Sequence, residues 1–191
     1  MYKIVVSTLL GIGLVMSVGF VVGDDDSDSD SAYQRLNDEW QEARLDVAPV
    51  DNPLYSDECG ACHFAYQPGL LPARSWERML GGLDEHFGDN AELTPEVAVR
   101  IQNYLVSNAA DRSQHKRSRS ISRSLAAEQT PLRITGMAYF QRKHDEIPGR
   151  LVADNEAVGS FANCQACHAA ADQGSYDEDE VRIAGYGRWD D

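Results

Sequence analysis

An all-α fold in two small helical halves is what this 191-residue sequence predicts. Three observations carry the prediction: apolar residues recur at helical spacings, no strand-like alternation of useful length appears, and one cysteine–histidine motif occurs once in each half. Tyr33 to Leu45 places Leu36 and Trp40 on one face and reads as an opening helix. Ser56 is a candidate cap for a short helix carrying Cys59, Cys62 and His63, after which Gln67-Pro68-Gly69 breaks into a loop. Trp76, Met79, Leu80, Leu83 and Phe87 recur at spacings of three, four and seven, so Ser75 to Phe87 is predicted as one amphipathic helix. Thr94-Pro95-Glu96 supplies a cap, an N1 proline and a first-turn acid, and Val97, Ile101 and Leu105 form the buried stripe of the helix that follows. A second half begins near Thr130-Pro131. There Met137, Phe140, His144 and Ile147 share a helical face, Pro148-Gly149 ends the element, and Ser160 is placed to cap a last short helix with Cys164, Cys167 and His168.

All four cysteines lie in the pattern C-x-x-C-H: Cys59-Gly60-Ala61-Cys62-His63 and Cys164-Gln165-Ala166-Cys167-His168. In c-type cytochromes the two thiols add across the vinyl groups of a haem and the histidine ligates its iron. Helical spacing brings both sulfurs to one haem edge and points the next imidazole under the metal. Structural zinc built from paired C-x-x-C motifs closes within about 15–20 residues, far less than the separation here. A dithiol redox pair does not account for a histidine placed identically after both copies, and a disulfide across C-x-x-C is a redox device rather than a staple. The motifs therefore predict two covalently bound haems c.

The N-terminus points to the same compartment as covalent haem attachment in bacteria, outside the cytoplasmic membrane. Lys3 precedes an uncharged, almost uniformly apolar run from Ile4 to Val22, and Asp24, Asp25, Asp26, Asp28 and Asp30 follow at once. Residues 1–23 read as an export segment: a signal peptide, favoured by the expectation of a periplasmic protein, or a retained anchor, since the run is long for a signal peptide and no A-x-A site ends it. Residues 24–32 are an acidic, disordered linker. An N-terminal haem domain over 33–110, a basic Ser/Arg-rich linker over 111–129 and a C-terminal haem domain over 130–191 complete the expected organisation. The net charge is −14, yet Arg112 to Lys143 holds eight basic residues and one acid. With no stacking aromatics among these arginines, nucleic-acid binding is not expected. A solvated linker, a docking patch and a site neutralising haem propionates are the readings of that stretch.

Five histidines are present. His63 and His168 are taken by the motifs as proximal ligands. His86 shares the Trp76–Met79–Leu83 face and His144 the Met137–Phe140–Ile147 face, so two inward-facing histidines stand available for two irons, whereas His115 has basic and serine neighbours and reads as a surface residue. Proximity pairs His86 with the first haem and His144 with the second, a crossed arrangement being the alternative. Methionine is the rival ligand: Met79 lies on the face of His86 and Met137 on that of His144, and thioether ligation would raise the potential. Arg74, Trp76, Tyr186, Arg188 and Trp189 read as packing residues before haem or propionate contacts.

At this point the chain resembles the bacterial dihaem cytochromes c called DHC, periplasmic electron-transfer partners of a small high-spin cytochrome, SHP. The resemblance rests on ECGACHFAYQPGLLP, HFGDNAEL, TPLRIT, FANCQACH and the closing GYGRWDD, and covers roughly residues 50 to 191. It implies two haem domains, the N-terminal one similar to class I cytochromes c, and bis-histidine low-spin iron at both sites, carried over onto His63, His86, His144 and His168. The Arg112–Ser124 stretch matches no motif of that family. Two six-coordinate haems leave no position for a substrate. The expected function is electron transfer at low potential, not enzymatic, between a membrane donor such as a cytochrome b and a soluble haem acceptor. A dihaem enzyme of peroxidase or nitrogen-oxide reductase type, with one open iron, is the alternative; a gas sensor has nothing in the sequence to favour it.

Overall fold

A computed structural model describes residues 45–189. The expected export segment, the acidic stretch and the opening helix up to residue 44 lie outside the described residues. Five α-helices and seven short 3-10 turns carry the described part, with one two-stranded hairpin near the C-terminus.

Helix α1 spans Pro53–Cys59. It starts because Asn52 Oδ1 accepts from the Tyr55 amide at 3.0 Å and Pro53 needs no donor at N1. The cap is thus Asn52 and not Ser56, which sits inside the helix. Cys59 is the last helical residue, and Cys62 and His63 follow in the turn beyond it. Gln67-Pro68-Gly69, expected as loop, leads into a buried 3-10 turn over Pro68–Leu70.

Helix α2 spans Ala73–Leu80, so the element predicted over 75–87 is cut in half. Gly81 and Gly82 are the reason: two adjacent glycines forfeit helix propensity, and the chain continues as a 3-10 turn, Leu83–Glu85. Helix α3 spans Pro95–Ser107 behind Thr94, with Ile101 and Leu105 fully buried, Val97 half-buried, and its face packed on α2.

The basic stretch expected as a linker contains helix α4, Lys116–Ser124. Lys116, Arg119 and Arg123 face solvent, while Ser118 and Ile121 are buried. Ser118 meets Gly69 so closely that a Cβ on the glycine would collide with its hydroxyl, which is why the backbone of the 68–70 turn approaches the helix here. Helix α5, Ala138–His144, begins at Met137 and ends on His144. The last haem-motif helix is only one 3-10 turn, Cys164–Ala166, entered from Asn163; Ser160 Oγ accepts instead from Ala162 N at 3.1 Å in the preceding turn. Strands β1, Arg182–Ile183, and β2, Gly187–Arg188, pair antiparallel with Ile183 opposite Gly187. Two-residue strands are too short to show alternation in a sequence.

The main hydrophobic cluster runs through both halves, from Val47, Tyr55, Leu71 and Trp76 through Ile101 and Leu105 to Ile121, Met137 and Tyr176. A smaller cluster of Val152, Val158, Val181 and Ile183 sits under the hairpin. The seam between the halves is polar and buried. Gln67, 0% exposed, donates through Nε2 to the Ala171 carbonyl and accepts from the Tyr176 hydroxyl at 2.6 Å. The amides of Asp46 and Val47 donate to the Gly174 carbonyl, and Gly174 has φ +80° and no room for a Cβ against Val47.

Candidate haem sites

The first site is assembled by the turn after α1 and a tight hairpin after α2. His86 and Asp89 exchange backbone hydrogen bonds at 2.8 and 3.2 Å around Phe87 and Gly88. Both central residues have positive φ, +58° and +107°, as a two-residue type I′ connection requires. A phenylalanine in the left-handed region costs about 1 kcal/mol. The Arg133 guanidinium, 4.0 Å above the Phe87 ring, offsets part of that. The turn brings the His86 ring to 6.2 Å from that of His63, centroid to centroid, with the two planes 17° apart. His63 also packs on Tyr66 at 5.2 Å, and its Nδ1 lies 2.8 Å from the Phe64 carbonyl. A carbonyl only accepts, so Nδ1 carries the proton and Nε2 the lone pair. The site is open: His63 and Cys62 are exposed and Phe87 is 45% exposed.

The second site is more covered, with both histidines half-buried. His144 from the end of α5 faces His168, again at 6.2 Å between ring centroids, but with the planes 78° apart. Phe140, one turn earlier on α5, stacks on His144 at 3.9 Å and 13°, and Phe161 closes edge-on at 5.7 Å. His144 Nδ1 lies 2.9 Å from the Phe140 carbonyl and so donates to it, which again puts the lone pair on Nε2. Both rings line a largely apolar cavity of about 1050 Å³, counting the part open to solvent. Met137, Phe140, Ile147 and Val158 form much of its wall, Cys164 and Cys167 lie along it, and Ile121 and Arg117 of α4 complete one side. The basic segment therefore helps to build the second site.

These residues fit two haems. An imidazole nitrogen about 2 Å from a metal ion places its ring centroid about 3 Å away, so two rings facing each other across one ion stand about 6 Å apart. Both pairs meet that separation. Ligation also needs neutral imidazole. Burial, then the neighbouring His144, then Arg117 press the His168 pKa down to about 4 against the opposing pull of Asp46. Burial and His63 hold His86 below its usual value. None of Cys59, Cys62, Cys164 and Cys167 is tied up in a disulfide, so all four sulfurs are available for thioether links. Among the described residues no cluster of three or more histidine, cysteine, aspartate or glutamate side chains could hold a metal ion by itself.

Met137 is buried in the wall of the second cavity and Met79 is half-buried against the main core, so the geometry brings histidine to histidine at both sites. His115 occupies the N-cap position of α4. Arg74, one of the side chains considered for propionates, clamps the carbonyls of Ala126 and Gln129, and Trp76 donates to the Pro68 carbonyl at 2.8 Å. Sequence reasoning missed Tyr66, Gln67, Tyr176 and the Asp46–Arg117 pair. Tyr66 donates to the Ala162 carbonyl at 2.8 Å while packing on His63, so it spans the two sites. Tyr176 lies 5.2 Å from His168. No periodicity or spacing marks the hydrogen bonds of Tyr66 with Ala162, Asp46 with Arg117 and Tyr176, and Gln67 with Tyr176, which join residues 71 to 130 positions apart.

Comparison with known proteins shows the family. The description of the dihaem cytochrome c family matches residues 55–176. A dihaem cytochrome c from Shewanella baltica OS155 is similar in structure, with 47% identity, TM-score 0.60, and coverage of 73% of this chain and 98% of that one. A dihaem cytochrome c from Rhodobacter sphaeroides gives 43% identity, TM-score 0.61, and coverage of 68% and 100%. No curated protein matches the chain. Twin C-x-x-C-H motifs in a helical frame, matched over most of the folded part to solved dihaem proteins, place two c-type haems in this molecule, and the chain belongs to the dihaem cytochrome c family.

Proposed function

We propose that His63 and His86 are the axial ligands of the first iron and His144 and His168 those of the second, with Cys59 and Cys62, and Cys164 and Cys167, forming the thioether links. On this reading the N-terminal half, 33–110, and the C-terminal half, 130–191, each carry one haem. The protein is a low-potential electron carrier of the periplasm, exported by its N-terminal segment. It takes electrons from a membrane cytochrome b and passes them to a small high-spin cytochrome of the kind that partners this family. Each haem, when bound, supplies reversible one-electron storage at its iron. The polypeptide would supply two histidines to each iron, and it brings the two motifs together through Tyr66 and the Gln67–Tyr176 seam.

The observation that supports the proposal is the pair of imidazoles at each site, 6.2 Å apart between ring centroids; with both bound to one iron, no open position for a substrate would remain. Two imidazole donors per iron and a net charge of −14 both favour the ferric state and low potentials. An acidic surface docks a basic-faced partner briefly and in a salt-sensitive way. Optical and EPR spectra of the ferric protein test the proposal: only low-spin haem is expected. A stoichiometric high-spin signal would instead point to an enzyme with one open iron.

A further inference from the structure

We propose that Arg117 is the propionate-binding residue of the second haem, holding one carboxylate arm through its Nε–H inside the cavity beside His168. The inference starts from an orphaned donor. Among the described residues, Arg117 Nε is buried without a hydrogen-bond partner. The two terminal nitrogens both have partners. Nη2 donates to Asp46 Oδ2 at 3.0 Å and to the Tyr176 carbonyl at 2.9 Å, and Nη1 reaches the Tyr139 hydroxyl at 3.4 Å. Asp46 is itself shared, since its Oδ2 also accepts from the Tyr176 amide at 2.8 Å.

A buried arginine N–H without an acceptor is costly, and native structures seldom leave one so. Arg117 lines the cavity, and a carboxylate there would accept from its Nε–H in a charge-assisted hydrogen bond stronger than any neutral acceptor makes. The pair Arg117–Asp46 is only 16% and 17% exposed, so the cation is neutralised by a single shared carboxylate in a desolvated wall. The other cation on the cavity, Lys143, is already paired with Glu178. Arg117 is also fixed in place, its guanidinium 5.7 Å from the Tyr176 ring, which in turn packs on His168. Helix α4, the basic stretch that matched no family motif, thus has a role that its surface arginines do not share.

The test uses the fully loaded protein, with the two haems resolved by poising the potential. Arg117→Gln removes the charge and the fork. It should lower the midpoint potential of the second haem, leave that of the first unchanged, and shift the propionate-bending band of the second haem in the resonance Raman spectrum. Arg117→Lys keeps the charge, the length and the partner Asp46, and secures the test if the glutamine variant does not fold. It should restore most of the potential while the propionate band stays shifted. A propionate band identical to that of the unsubstituted protein in either variant overturns the proposal, as do equal potential changes at both haems. The proposal rests on His144 and His168 holding the second iron. Failure of that reading shows separately, as high-spin haem in the unsubstituted protein, and overturns both; failure of the Arg117 proposal alone leaves the low-spin spectrum intact.

Discussion

The two histidine pairs stand the same distance apart and share almost nothing else. His63 and His86 lie nearly parallel at an exposed edge, one on the turn after a helix and the other on a two-residue hairpin with a left-handed phenylalanine. His144 and His168 lie nearly perpendicular inside an apolar cavity, the first locked by a stacked Phe140 on a helix. One shared five-residue pattern therefore does not make identical sites. The motif sets the cysteines and its own histidine; the second imidazole of each pair, its plane and its access to water come from whatever element the fold brings opposite. Where that element is a helix packed on aromatics the site is more covered, and where it is a tight turn the site stays open.

The largest effect that could break this comparison is loss of one distal ligand. His144→Ala should turn one haem of the two high-spin and leave the other low-spin, read in the ferric optical and EPR spectra. His86→Ala should do the same to the other haem, and added cyanide should reach that open iron faster than the more covered one in His144→Ala. If neither variant changes spin state, the pairing across 6.2 Å is not ligation.

The ring planes predict a difference within the intact protein. Parallel imidazoles donate into one iron d orbital and split the pair, whereas perpendicular ones leave that pair nearly degenerate. The ferric EPR spectrum should therefore contain one rhombic low-spin signal, from the first site, and one highly anisotropic signal with a large maximum g value, from the second. Two rhombic signals would contradict the 78° angle.

Smaller effects probe how the sites are held. Gln67→Ala strands the Tyr176 hydroxyl and the Ala171 carbonyl in the buried seam and should cost about 2 kcal/mol, measured by denaturant unfolding of the loaded protein. Tyr176 lies against His168, so this loss should disturb the second haem's spectrum before the first. Arg133→Gln removes the cation from the Phe87 ring and should cost about 0.5–1 kcal/mol. Its trace should be confined to the first haem, as faster displacement of His86 by added imidazole.

How much of this was legible beforehand follows the range of each interaction. Helix α3 could be read because its proline start and its stripe of Val97, Ile101 and Leu105 are local. The helix predicted over 75–87 failed at Gly81-Gly82, where local propensity outweighed an unbroken apolar spacing. The Ser/Arg-rich stretch hid helix α4 because its buried residues, Ser118 and Ile121, are few and one is polar; only Gly69 across the interface explains why a serine fits there. The cysteines and their histidines were legible because covalent attachment demands fixed spacing within one turn.

By itself, then, the sequence determined the chemistry: four thiols and two histidines in a pattern that attaches two haems, in a helical chain with two further histidines on apolar faces. Only the tertiary structure decided which histidine faces which, how their planes lie, which site is more covered and which buried arginine stands at its wall. The physical reason is separation along the chain. A motif five residues long is held by local geometry, whereas contacts such as Arg117 with Asp46 and Tyr176 with Gln67 join segments 71 and 109 residues apart and exist only once the core has closed.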